Sequence, residues 1–255
     1  MTDRPLVSVI LPTRNRPRML ARALASVRVQ QHPALEVLVV NDGDDTRSAA
    51  AQLQDTVRAS GVRVRVLRAA LRGQVAARNA AVRAARGDVI ACLDDDDQWL
   101  PGHLGRVLAA LDGQQAAHAD GLIEVRSGSV LQEQIYFGLE ARRDVLRRTN
   151  PVLMSGLAYR RALHDTLGLY DPALPHYHDW DWHLRVAALT RLVRVPQAGV
   201  TIHVEASGGS ASDPSNPAVA EDFRRFRRKH GLQDLPQHTF LSALRDPALG
   251  LGLIG

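Results

Sequence analysis

The sequence predicts an α/β domain, and three observations carry that reading. Short apolar runs alternate with amphipathic helical stretches through the first part of the chain, the rhythm of a mostly parallel sheet covered on both faces. Polar clusters follow several of those runs, at the points where the strands of such a sheet end. The chain is 255 residues long, 45% apolar and 23% charged, enough to bury one full core without wholesale disorder.

Taken in order, residues 6–11 read as a strand, 17–31 as a helix, 36–40 as a strand, 46–60 as a helix, 62–67 as a strand and 74–86 as a helix. A further strand, Val89-Ile90-Ala91-Cys92-Leu93, lies between Gly87-Asp88 and Pro101 and runs into Asp94-Asp95-Asp96-Asp97. Past Pro101 the pattern changes to a helix reaching about Leu111, strands near 121–125 and 129–137, and a short strand or loop over 154–159. The turn Tyr170-Asp171-Pro172 leads to HYHDWDWHLRV at 176–186, where a helix starting at Asp179 sets Trp182 and Val186 on one face. Residues 207–212 have the composition of a flexible loop, and 217–230 read as a helix with a basic side. We therefore expect one domain built from two halves, 1–112 and 113–235, and a loosely held tail over 236–255.

The totals exclude several classes. No run reaches the roughly 18 apolar residues of a membrane span, and Pro12 breaks the N-terminal apolar stretch too early for a signal peptide, so a cytoplasmic protein is expected. Cys92 is the single cysteine, which leaves no internal disulfide and no Cys-rich zinc site, and its apolar neighbours make it a core residue. The net charge of +5 rests on arginine, since Lys229 is the only lysine. Those arginines are scattered rather than massed in one basic block, which fits a GC-rich genome better than nucleic-acid binding. The basic side of 217–230 is a candidate peripheral contact with the inner face of a membrane.

Ligands of parallel sheets bind beyond the carboxyl ends of the strands, at a topological switch point. Pro12-Thr13-Arg14-Asn15, Asn41-Asp42-Gly43-Asp44 and the aspartate run fall at such ends and are expected to converge on one crevice. Each alone also reads as a turn or helix cap, with Asp45 or Thr46 as the next cap after Gly43. Along an extended chain Asp94 and Asp96 point one way and Asp95 and Asp97 the other, and each like-charged pair needs a cation or hydrogen bonds to stay ionised. Mg²⁺ or Mn²⁺ suits such oxygen ligands, held by one or two carboxylates plus substrate phosphates; the plain alternative is a solvated acidic loop. No Gly-x-Gly-x-x-Gly follows the first strand and no Walker-type Gly-Lys-Ser/Thr occurs, which disfavours dinucleotide enzymes and P-loop ATPases.

His176, His178, Asp179, Asp181 and His183 invite a metal reading, but the His-x-His-x-Asp-His pattern needs an aspartate where Trp180 stands. Asp179 is either the cap of its helix or a carboxylate placed to take a proton from a hydroxyl.

In their order these motifs resemble the family 2 glycosyltransferases. VSVILPTRNRP is similar to that family's opening strand and loop, EVLVVNDGDD to its acidic turn, GQVAARNAAVRAARGDVIACLDDDDQWLP to its central signature, and HDWDWHLRV to its late Glu-Asp-Trp-Asp segment. The resemblance implies a GT-A fold, in which a Rossmann-like nucleotide-binding half with a mostly parallel sheet merges with a mixed α+β acceptor-binding half. It implies transfer of a sugar, with inversion, from a nucleotide-diphosphate sugar to a saccharide or lipid-linked acceptor hydroxyl, with a UDP-sugar as the default donor. Carried onto this sequence, it sets Pro12, Thr13 and Arg14 against the nucleoside, Asp42 on the base, and Arg78 on the base or phosphates. It makes Asp94, Asp95 and Asp96 the Asp-x-Asp site for Mn²⁺ or Mg²⁺, with Asp96 the direct ligand, Asp94 and Asp95 nearer the ribose and sugar, and the metal-binding pair ambiguous by one position. Asp179 becomes the general base, and His203 a metal or diphosphate contact. Two positions depart from the family: His178 stands where a Glu is usual, and Asp95 where a small residue is frequent.

Rival readings were weighed against this one. An Asp-x-Asp phosphatase of the haloacid dehalogenase type carries its motif after the first strand, not the fourth. A sugar-nucleotide nucleotidyltransferase wants a Gly-rich loop that Pro12-Thr13-Arg14-Asn15 does not supply. A non-catalytic nucleotide-sugar or anionic-surface binding protein, held through Arg224, Arg225, Arg227, Arg228 and Lys229, is the rival from another class.

Overall fold

The computed structural model describes residues 5–43, 47–68, 73–206 and 213–253. The expected caps at Asp45 and Thr46, Asp44 of the second polar cluster, and the loop at 207–212 lie outside the described residues.

Strand β1 (Val7–Thr13), helix α1 (Pro17–Arg28), β2 (Leu35–Asn41), α2 (Arg47–Ala59), β3 (Val64–Arg68), α3 (Gln74–Ala84) and β4 (Val89–Cys92) follow the expected alternation. Strand β1 pairs in parallel with both β2 and β4, and β2 with β3, so the spatial order is β3-β2-β1-β4. From β1 the chain first builds outward on one side and then returns to the other, which opens a crevice at the carboxyl ends of β2, β1 and β4. The strands are apolar on both faces because both faces are covered. Val7, Val9 and Leu11 pack with Leu20, Leu24 and Val27 of α1, whereas Ile10 packs with Val75, Ala77 and Ala81 of α3.

The second half comprises β5 (Gln98–Trp99), α4 (His103–Ala110), β6 (Ala116–Ser127), β7 (Val130–Phe137), α5 (Arg143–Leu146), β8 (Leu157–Arg160), α6 (Leu163–Leu167), α7 (His178–Leu189), β9 (Leu192–Glu205), α8 (Pro217–His230), α9 (Phe240–Arg245) and β10 (Gly252–Leu253). Strand β8 runs antiparallel to β4 on one edge and to β6 on the other, which carries one sheet across both halves. One core cluster accordingly joins Ile10 and Ile90 to Tyr159, Trp182 and Phe226.

Three expectations change. Strand β6 starts at Ala116 rather than near Gly121: Ala116-Ala117-His118-Ala119 has weak strand propensity, but it is held between β8 and β9 and buried there. Helix α7 begins at His178, so Asp179 is its second residue and not its cap. The tail is not loose. Thr239 caps α9 by accepting from the Ser242 N–H at 3.0 Å, Leu244 and Leu251 are buried, and β10 pairs antiparallel with β7. The apolar residues spaced through that Gly/Pro-rich segment find a partner in β7, with Phe240 against Phe137 at 6.1 Å between ring centres.

Candidate active site

The three strand-end clusters meet as expected. Thr13 ends β1 opposite Asn41 of β2, and its hydroxyl donates to Asp95 Oδ2 at 2.6 Å. The Asp42 N–H donates to the Thr13 carbonyl at 2.9 Å, and Gly73 N–H donates to Asp42 Oδ2 at 3.0 Å. Asp42 is buried, and its Oδ1 has no partner within the protein. Gly43 lets the loops close: a Cβ there would lie 2.1 Å from the Asn15 side-chain oxygen. Pro12, Arg14, Arg16, Gln74 and Asp96 complete the walls of a cleft of about 240 Å³ shared with Thr13, Asp42 and Asp95.

The aspartate run alternates in exposure and then turns, with Asp97 N–H donating to the Asp94 carbonyl at 3.2 Å. Asp95 and Asp97 are buried, whereas the Asp96 side chain is 41% exposed. Burial, with Asp96 and Asp94 close by, pushes the Asp95 carboxyl up to about 6 despite the Thr13 and Arg16 hydrogen bonds. Burial and the same two neighbours push Asp97 well above the ordinary carboxylate range. Ser155 ties the turn together, accepting from the Asp94 N–H at 3.0 Å and donating to Asp97. Burial and mutual repulsion thus make two of the four carboxylates reluctant to ionise.

Two arginines answer part of that charge. Arg16 reaches Asp96 at 2.9 Å and Asp95 at 3.3 Å. Arg78, on α3 and 1% exposed, pairs with Asp94. Burial works against the Arg78 charge, yet Asp94 and, more weakly, Asp179 hold its pKa above the ordinary arginine value. Its Nε and one terminal nitrogen have no protein partner, so the guanidinium keeps donors in reserve.

Asp179 sits in the first turn of α7, where the helix dipole favours a carboxylate. It accepts from Asn150 Nδ2 at 3.1 Å and borders a pocket walled by Tyr177, Trp180, Phe223 and Phe240, with His176 and His238 among its polar groups. His178, which replaces the usual Glu, turns Nδ1 toward the Pro175 carbonyl at 3.0 Å; a carbonyl only accepts, so Nδ1 carries the proton. Burial and nearby Arg78 bring the His178 ring down to about 4, so it is neutral in the fold.

Arg78 thus links Asp94 electrostatically to Asp179, and the nucleotide-side residues Pro12, Thr13, Arg14, Asp42, Asp95 and Asp96 share one cleft. His203 does not line that cleft. On β9 its Nδ1 lies 3.3 Å from the Glu124 carboxylate, and its other charged neighbours are Arg22 and Arg126. Among the described residues no three His, Cys, Asp or Glu side chains are arranged to hold an ion unaided. The basic residues of α8 are engaged within the molecule: Arg224, Arg225 and Arg228 with Glu221, and Lys229 with Asp171 and Asp181. Sequence reasoning missed Arg16, Gln74 and Asn150. Arg16 carried a signal, being two residues past Arg14 in one loop, but Asn150 lies in a stretch with no periodic pattern.

The sequence profile described as Glycosyl transferase family 2 matches residues 8–167. Over 247 residues the chain is 30% identical to the uncharacterized glycosyltransferase YwdF of Bacillus subtilis (strain 168), covering 95% of this chain and 91% of that protein. It is 31% identical over 148 residues to the GalNAc(5)-diNAcBac-PP-undecaprenol beta-1,3-glucosyltransferase of Campylobacter jejuni, covering 56% of this chain and 47% of that one. Residues 1–349 of S. aureus TarS in complex with UDP superpose with a TM-score of 0.64 at 21% identity, over 91% of this chain and 66% of that one. A longer TarS chain is covered to 40%. The mixed sheet and its crevice are thus those of a GT-A-like enzyme, and the chain belongs to glycosyl transferase family 2, as a glycosyltransferase.

Proposed function

We propose that the enzyme transfers a sugar, with inversion, from a nucleotide-diphosphate donor to a saccharide or lipid-linked acceptor hydroxyl in polysaccharide or glycoconjugate assembly, aided by Mn²⁺ or Mg²⁺. One observation carries the reading: Thr13, Asp42, Asp95 and Asp96 open into one cleft while Arg78 joins Asp94 to the surroundings of Asp179. UDP bound to TarS supports a UDP-sugar as the default donor, and the undecaprenol-linked substrate in the Campylobacter relative's name supports a lipid-linked acceptor. Such an acceptor would bring the enzyme to the inner face of a membrane; no helix among the described residues is long and apolar enough to cross one.

The donor set fits a hard divalent ion. Four carboxylates crowd one turn, Asp96 is open to the cleft, and such ions need only one or two carboxylates when a diphosphate completes the shell. Asp96 and Asp94 would hold it; His203, beside Glu124, is left out of this set. When bound, the ion stabilises negative charge on the departing diphosphate. The remaining work falls to the chain. Asp42, whose Oδ1 has no partner within the protein, would receive a donor group of the base, and Pro12, Thr13 and Arg14 would border the nucleoside. Arg78, with nitrogens unpartnered within the protein, would donate to phosphate oxygens. Asp179 takes the proton of the acceptor hydroxyl as its oxygen bonds to the anomeric carbon and the bond from that carbon to the diphosphate breaks. Such a base contributes roughly 10²–10⁴-fold. The pocket beside Asp179 suits the acceptor, since sugar faces pack on rings such as Tyr177, Trp180 and Phe240 while Arg148, His176 and His238 offer polar contacts to its hydroxyls.

Calorimetric titration of UDP, dTDP and GDP with and without Mn²⁺ tests this. One nucleotide is expected to bind only with metal, and Asp96→Ala to abolish that binding. A response indifferent to metal overturns the reading.

A further inference from the structure

Asn150 touches neither the cleft nor the acidic run, yet its amide is oriented at both ends. Its Oδ1 receives the Val152 N–H at 3.3 Å and lies 3.0 Å from His183 Nδ1, while its Nδ2 donates to Asp179 Oδ2 at 3.1 Å. An amide oxygen only accepts, so the His183 contact fixes two things together: Nδ1 carries the ring proton, and the NH₂ of Asn150 must face the carboxylate. Asp179 and His183 stand four residues apart on α7, one above the other on the same face, and Asn150 spans them from the segment between α5 and β8. His183 is fully buried, and burial first, with His118, His178 and Arg78 adding to it, brings its ring down to about 4, so it stays a neutral donor of fixed tautomer.

We infer that Asn150 and His183 form a two-residue relay that positions Asp179, a role that rests on the reading of Asp179 as the base. The relay anchors Oδ2 and leaves Oδ1 as the oxygen that takes the acceptor proton. The charged and titratable groups facing Asp179 are Arg78 from α3, Tyr177 and His183 from its own segment, and Arg148, His176 and His238 around the pocket. None of them makes the hydrogen bond that Asn150 makes.

The test uses the full chain with Mn²⁺ and measures UDP release from UDP-glucose, UDP-galactose and UDP-GlcNAc, with water as the acceptor. Asn150→Ala is expected to lower kcat by up to about 100-fold with KM for the donor unchanged, the cost of a misplaced reacting group. Asn150→Asp, which sets a like charge beside Asp179 in place of a donor, is expected to lose at least as much kcat. His183→Asn, which keeps a donor where Nδ1 stood, is expected to outperform His183→Leu. Independently of turnover, ¹⁵N spectra of the wild type are expected to show the His183 proton on Nδ1 and to lose that preference in Asn150→Ala. A wild-type proton on Nε2, or an unchanged kcat in Asn150→Ala beside an inactive Asp179→Asn, overturns the relay alone. Full activity in Asp179→Asn overturns the base assignment beneath it.

Discussion

The cleft at the ends of β1, β2 and β4 and the pocket beside α7 solve opposite electrostatic problems. The first crowds carboxylates and leaves Asp95 and Asp97 reluctant to ionise, with Arg16 and Arg78 as partial answers. The second holds the Asp179 carboxylate among aromatic rings, on a helix whose His178 and His183 burial keeps neutral. On the proposed reading the first receives a diphosphate and gains from the cationic side chains around it, whereas the second removes one proton and gains from a single base held at a fixed angle.

The largest expected effect separates the two through their shared residue. Arg78→Met leaves Asp94 without its buried partner and is expected to cost about 3–5 kcal/mol, read as a lower midpoint in urea unfolding. Next comes the acceptor side alone. Leu244→Ala empties a buried site on α9 and is expected to cost about 2–5 kcal/mol while UDP affinity, measured on the folded protein, stays unchanged. A parallel loss of UDP affinity would mean that the two regions are not energetically separate.

Acid should then pull the two regions in opposite directions. His118, His178 and His183 fall from an ordinary 6.5 to about 4 because burial disfavours their charge, so between those values the unfolded chain binds more protons. Their stabilising contribution is present above pH 6.5 and is lost as pH falls toward 4. Asp95, raised from 3.8 to about 6, has the reverse sign: its burial costs stability above pH 6, and that cost is relieved as pH falls toward 3.8. Thermal midpoints measured across this range are expected to fall less steeply in His178→Gln than in the wild type, and more steeply in Asp95→Asn. Identical slopes would remove the contrast. The smallest expected effect concerns Arg16, which lies on the two carboxylates nearest the cleft. Arg16→Ala is expected to strengthen Mn²⁺ binding without nucleotide by a few fold, read by calorimetry, because a competing cation is gone.

The legibility of the two regions differs as their chemistry does. Thr13, Asp42 and Asp94 to Asp97 each stand at the end of a strand whose apolar run is visible in the chain, and parallel strands paired side by side bring those ends together. Asp179 was identified by resemblance, and its surroundings were not foreseen. Asn150 comes from an irregular stretch, His183 was read among candidate metal ligands, and Phe240 lies in a segment whose Gly and Pro content suggested a loose end. For His203 the converse holds: its place in a motif did not tell that β9 would set it beside Glu124.

By itself the sequence determined the order of strands and helices, the apolar faces that make the sheet two-sided, and the positions where polar residues must emerge from it. Those are consequences of local periodicity, and each is contained in a handful of neighbouring residues. Only the tertiary structure decided which side chains share a hydrogen bond: Arg16 on Asp95 and Asp96, Arg78 on Asp94, Asn150 on Asp179, and α9 on β7. Such pairings join residues far apart in the chain, and burial and charge select them after the sheet has brought its edges together.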